Sequence, residues 1–221
     1  MTRETDLVLD RLLECQGTLF SVELGLDLKK NTPSVLFRWL CAALLMSARI
    51  SHDTALVAAR ALADAGWTTA HRMAESTWED RVGVLNRSGY ARYDESTARM
   101  LGDTARRLLD EYDGDLRKLR AESGNDPERQ RAVLKAFKGI GNVGADIFLR
   151  ELQTVWSEHY PFLDDKARTA ARRLGLPDTA EALAELVGRD RFARLATALV
   201  RAQIADVDRN ALLEEAGEVR E

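Results

Sequence analysis

Cysteine and histidine are scarce in this chain, no apolar run is long enough to span a bilayer, and no stretch alternates apolar and polar residues as a strand would. Each shortage closes a door. Two cysteines, Cys15 and Cys41, cannot supply the four ligands of an iron–sulfur cluster. Both lie in apolar helical patterns, where buried free thiols in a reducing cytoplasm are expected. His52, His71 and His159 are scattered, so no zinc site and no other metal is expected. The start Met1-Thr-Arg-Glu-Thr-Asp lacks the character of a signal peptide. A cytoplasmic protein without a membrane partner is the expectation.

Of the 221 residues, 45% are hydrophobic and 31% charged, a globular balance with enough chain for one large domain or two small ones. The net charge of −4 repels a polyanion, but its distribution is uneven. Nine Lys or Arg stand against five acids between Arg129 and Arg173, a local balance of 9 − 5 = +4. The segment from Asp206 to Glu221 has six acids and two arginines, and is expected to face away from any nucleic acid. A local excess of four charges is also what an ordinary solvated face carries.

Helical periodicity, punctuated by Gly and Pro, runs through the chain. Pro33-Ser34 opens the apolar segment Val35–Met46, a candidate central helix. Further helices are predicted over 53–65, 78–86, 95–112, 167–174, 179–187 and 191–205, with Asp126-Pro127 capping one that leads into the sequence 134–152. The predicted class is all-α. In 134–152, Leu134 and Phe137 share a face of an incoming helix, Gly139-Ile140-Gly141 makes a tight turn, and Ala145, Leu149 and Leu152 recur at helical spacing beyond it. Glycine can adopt positive φ and has no Cβ, so a ligand can approach the backbone closely. The first N–H groups of the second helix lack partners inside it, and the helix dipole favours an anion there. A DNA backbone phosphate would satisfy both, with Lys138 and the residues Gly139, Ile140, Gly141, Asn142, Val143 and Gly144 as candidate contacts. A plain helix–turn–helix corner would fit a lone Gly-x-Gly as well.

With these features in place the chain resembles the helix-hairpin-helix DNA glycosylases of the endonuclease III superfamily. The likeness spans about Ser34 to Leu176 and rests on four ordered pieces. Leu44-Leu45-Met46-Ser47-Ala48 is similar to the family's Leu-Ser-x-Gln helix end, and Ser88-Gly89-Tyr90 followed by Ala98 to its Gly-Tyr/Phe…Lys-Ala segment. The hairpin follows. Last, Leu163-Asp164 with Arg173-Leu174-Gly175-Leu176 is similar to Val-Asp-Thr-His…Arg-Leu-Gly-Leu. The resemblance implies two helical subdomains flanking a cleft: 34–150, containing the hairpin, and a second formed by 1–33 with 151–221. It also implies a monomer acting on double-stranded DNA with a damaged base, without a cofactor.

Asp164 would then stabilise the positive charge that develops on the sugar as an N-glycosidic bond breaks, or orient the attacking water. The target base must first leave the stack, at a cost of a few kcal/mol. Asp164 or its neighbour Asp165 would serve equally well as N-cap of the helix beginning near Lys166, and Asp165 is the alternate catalytic acid. Departures from the family pattern bear on activity. Its lyase lysine aligns with Val143, which cannot form a Schiff base, unless Lys138 or Lys166 substitutes. Its gap-filling glutamine aligns with Arg49, a candidate wedge or phosphate contact, and Thr-His is replaced by Asp165-Lys166, with Lys166 a candidate DNA contact. For a base pocket the candidates are Trp156, Tyr160, Tyr90 and Trp39, suited to stacking an electron-poor alkylated purine; core packing is the competing role, above all for Trp39. A non-catalytic protein that binds distorted DNA on the same scaffold is the alternative.

Overall fold

The computed structural model describes residues 3–218. They form fourteen α-helices and two 3₁₀ turns, with no strand among the described residues. In chain order the helices are α1 (Arg3–Gln16), α2 (Phe20–Glu23), α3 (Pro33–Met46), α4 (His52–Asp64), α5 (Ala70–Glu75), α6 (Trp78–Arg87), α7 (Asp94–Tyr112), α8 (Leu116–Glu122), α9 (Pro127–Lys135), α10 (Asn142–Leu152), α11 (Asp165–Arg173), α12 (Ala180–Val187), α13 (Arg189–Ile204) and α14 (Arg209–Glu218). The chain divides into two compact units. One comprises Leu24–Phe148 and the other Met1–Glu23 with Leu149–Glu221, the second division falling within α10. None of the described helices is long and apolar enough to cross a membrane.

In the unit Leu24–Phe148, α3 is the central helix. Proline at its start supplies a fixed φ where no intrahelical donor is lost. Nine of its residues, from Leu36 to Leu45, are buried, and Trp39 donates its indole N–H to the Phe148 carbonyl at 3.0 Å. Helix α4 packs on α3, while α5 and α6 pack on α7. Arg81 is buried at the centre of this second group. Its guanidinium donates to the carbonyls of Met73, Ser76 and Ala98, closing the open ends of α5 and fixing α6 to α7. Thr77 and Asp80 form a capping box at the start of α6.

In the other unit, α13 is the hub. Helices α1, α11 and α12 pack on it, and α14 packs on α1. Val8, Leu9, Leu12 and Leu13 give α1 a buried stripe. Cys15 falls off that stripe and is exposed, contrary to expectation, whereas Cys41 on α3 is buried; burial raises the Cys41 thiol to about 12. The least expected core group is Glu151, with no solvent exposure. It accepts from the N–H groups of Phe20 and Ser21 at 2.7 and 2.9 Å, and from the Thr197 hydroxyl at 3.3 Å. The short helix α2 thus has its first amides capped by a carboxylate 130 residues away in sequence.

Burial holds the Glu151 carboxyl above its ordinary 4.5, against the downward pull of Ser21, Phe20 and Arg150. A value higher in the folded than in the unfolded chain means that the folded state binds the extra proton. Its stabilising effect is therefore complete below pH 4.5 and is lost as pH climbs through the raised value. Glu151→Gln should remove that decline, so chemical denaturation from pH 4.5 upward is expected to give a flatter stability curve than the wild type. An unaltered decline in the variant would assign it to another group.

Candidate functional site

The hairpin turn is built by what packs beneath it. Helix α9 ends at Lys135 and the chain tightens through 3₁₀-type bonds, Ala136 N–H to Val133 and Phe137 N–H to Leu134. Gly139 then takes φ +91°, and a Cβ there would lie 2.7 Å from Met100 Sδ on α7. Helix α7 holds the turn at further points: Arg107 donates to the Ala136 carbonyl and lies over the Phe137 ring, and Asp103 pairs with Lys138 at 3.4 Å. Across the hairpin, Arg131 on α9 donates to Asp146 on α10 at 2.5 Å.

Ile140 points inward, 1% exposed, and packs on Gly144. Its side chain therefore anchors the turn from within. Gly144 is buried too, and Ser47, just past α3, lies against it. Arg49, two residues further on, is exposed. Of the expected contacts in this unit, the structure thus brings the end of α3 to the turn.

The outward side of the turn is open. Gly141 precedes α10 and its carbonyl accepts from Ala145 N–H at 3.0 Å, as an N-cap carbonyl does. Its φ is not positive, unlike that of Gly139, and a Cβ there would meet nothing within 4 Å. Serine or aspartate at that position would turn its own side chain onto the helix's first amides; glycine leaves them to an outside acceptor. Asn142 is exposed and Val143 is 58% exposed, a large apolar residue in the first turn of the helix. Lys138 is 69% exposed on its side chain, and its surface ion pair with Asp103 is too weak to hold it from another anion.

Asp164 belongs to the other unit and is not an exposed acid. Its side chain is 2% exposed. One carboxylate oxygen accepts from the amides of Lys166 and Ala167 at 3.0 and 3.1 Å, capping α11, and the other accepts from Arg150 Nε at 2.5 Å. Arg150 is itself 3% exposed. The cap falls to Asp164 rather than Asp165, whose side chain is fully exposed beside Arg168. Asp164 is thus an inward-turned carboxylate met by three donors, two of them backbone. Lys166 is exposed.

Three of the four rings expected to form a base pocket are buried, and the fourth, Tyr160, is half-buried. Trp39, Tyr90 and Trp156 have no solvent exposure, so none presents a ring face to a base. Tyr90 donates its hydroxyl to the Leu45 carbonyl at 2.9 Å, and burial raises that phenol to about 12. Trp156 stacks with His159, and Tyr160 meets the edge of Phe192 with Arg189 over its ring. Trp39 and Tyr90 pack the interior, each burying a large apolar surface while its polar atom finds a partner, whereas Tyr160 is half-buried.

Three buried polar residues at the end of α10 escaped the sequence reading. Besides Arg150 and Glu151, Gln153 is 4% exposed; its amide nitrogen donates to the carbonyls of Arg150 and Phe162, and its oxygen accepts from Phe162 N–H at 2.9 Å. A signal for them exists. Ala145, Ile147, Phe148, Leu149 and Leu152 spread apolar positions so far around α10 that Glu151, at i+3 and i+4 from two of them, must face inward. Among the described residues no three His, Cys, Asp or Glu converge to hold a metal ion.

No family model matches the chain, and no curated protein matches it. Among solved structures it is similar to an endonuclease III–DNA complex trapped as a covalent intermediate with an estranged adenine: 15% identity, 74% of this chain and 71% of that one, TM-score 0.49.

The two glycines should part on substitution. Gly139→Ala meets Met100 and a backbone suited to glycine, and is expected to destabilise the fold by about 1–3 kcal/mol. Gly141→Ala has room, so its stability should stay within about 1 kcal/mol of wild type. Thermal melts of both check this; equal losses would mean that the outer face of the turn is not open.

Proposed function

We propose that this protein grips double-stranded DNA through the 139–144 hairpin, its α10 amides holding a backbone phosphate. The observation that carries the proposal is Gly141: an N-cap without a side chain, open to solvent, before exposed Asn142 and Val143. Amides without partners in the helix, at the positive end of its dipole, suit an anion of any sequence context. Exposed Lys138 and Arg49 would add sequence-independent attraction.

On that grip rests a chemical proposal: base excision by a monofunctional DNA glycosylase acting as a monomer and without a cofactor. Asp164 is the candidate carboxylate, steadying the sugar's developing positive charge while water attacks. Two amides and one guanidinium nitrogen account for three of about four acceptor directions on its two oxygens, which leaves one on the oxygen facing Arg150. With Val143 at the lyase position no amine is offered there for a Schiff base, so the sugar–phosphate strand would stay uncut. An alkylated purine remains the proposed substrate, because alkylation puts positive charge on the ring and makes the base a better leaving group, and a damaged base costs less to unstack; no buried ring is assigned to stack it. The inward setting of Asp164 favours a second proposal, a protein that binds distorted DNA without excision.

Incubation with duplexes carrying alkylated, deaminated, oxidised or mismatched bases, followed by alkaline heating, should reveal abasic sites with the wild type. Asp164→Asn keeps a capping oxygen but removes the charge, and should abolish release while binding persists. Binding without release from any of these duplexes would support the second proposal. Gly141→Asp sets a negative charge at the phosphate position and should weaken binding to all duplexes alike, at least 10-fold at moderate salt. Unchanged affinity would remove the hairpin as the anchor.

A further inference from the structure

Two residues one turn apart, Arg150 on α10 and Gln153 just past its end, reach the segment that carries Asp164. Gln153 holds Phe162 by its backbone in both directions, and Arg150 holds the Asp164 carboxylate two residues later. Gln153 also donates to the Arg150 carbonyl, which ties the two holding residues together. Every one of these groups is buried or half-buried, so water does not compete for them. The backbone amides of α11 fix one carboxylate oxygen; without Arg150 nothing in this set would fix the other. We propose that Arg150 is the positioning residue for Asp164, with Gln153 as its support, and this rests on the excision proposal above.

The chemistry sets the sign of the effect. A guanidinium beside a carboxylate weakens the field that the carboxylate exerts on a sugar, so Arg150 does not help by its charge alone. Its contribution is placement and compensation. A buried carboxylate deprived of its partner is strongly disfavoured and either turns away or takes up a proton. In both cases the developing positive charge loses its counterpart.

The test is single-turnover base release measured beside DNA affinity, on whichever damaged duplex the wild type processes. Arg150→Met keeps the length and apolar bulk of the side chain but removes the donor and the charge. It should slow release at least 10-fold while affinity stays within about 2-fold, since the grip is assigned to the hairpin. Arg150→Lys, which restores the charge without the planar donor set, should recover part of the rate but not all of it. A merely structural role would lower stability and leave the rate per folded molecule unchanged in both variants. Gln153→Ala leaves Arg150 in place and should give a smaller fall in the same direction, which reads the proposal even if Arg150→Met does not fold. Release by Arg150→Met and Gln153→Ala at or above the wild-type rate overturns it. Release of nothing by the wild type is a different failure: it overturns the excision proposal and takes this one with it.

Discussion

The three donors around Asp164 are the constraint on which the chemistry proposed for this protein depends. Two are amides that α11 would otherwise leave open, and the third is a buried guanidinium 14 residues earlier in the chain. A lone carboxylate in that interior would be costly; a paired and capped one is tolerated. The same residue therefore closes a helix, neutralises a buried arginine and is the first candidate acid. An acid with two structural duties is held rigidly, and rigidity is what a group needs to stabilise charge that appears only in a transition state.

The hairpin works by the opposite device. Where α11 is preceded by an acid that caps its own helix, α10 is preceded by a glycine that has no side chain to offer its first amides. Beneath it, Met100, Asp103 and Arg107 on α7 and Ile140 in the turn itself fix the backbone from below. The outer surface then has nothing to do but face solvent or a ligand. One helix start is capped by its own side chain, and the other is where we propose an anion binds.

Much of this was legible in the sequence, and the reasons differ by element. Helices α3, α4, α6 and α7 carry long amphipathic or apolar patterns bounded by Pro, Gly or capping residues, so their positions follow from local chemistry. Helices α5 and α8 are six and seven residues long, too short for periodicity to stand out. The α1 stripe of Val8, Leu9, Leu12 and Leu13 stands at helical spacing in the sequence. The hairpin was visible because glycine spacing is a local property. The partner of Asp164 was not, because Arg150 reaches it across a loop whose path depends on Gln153 and on the packed rings of Trp156 and Tyr160. For the same reason the aromatic candidates could not be sorted: residue type favours a stacking surface and a core equally, and only burial separates them.

The central physical claim is that the first amides of α10 receive a DNA phosphate, and hydrogen exchange at those amides tests it most directly. In the free protein the N–H groups of Asn142, Val143 and Gly144 have no intrahelical acceptor and should exchange quickly. Saturation with duplex DNA should slow them more than other exposed amides of the unit Leu24–Phe148. Rates unchanged at these three positions, under conditions where the duplex is shown to be bound, would contradict the account.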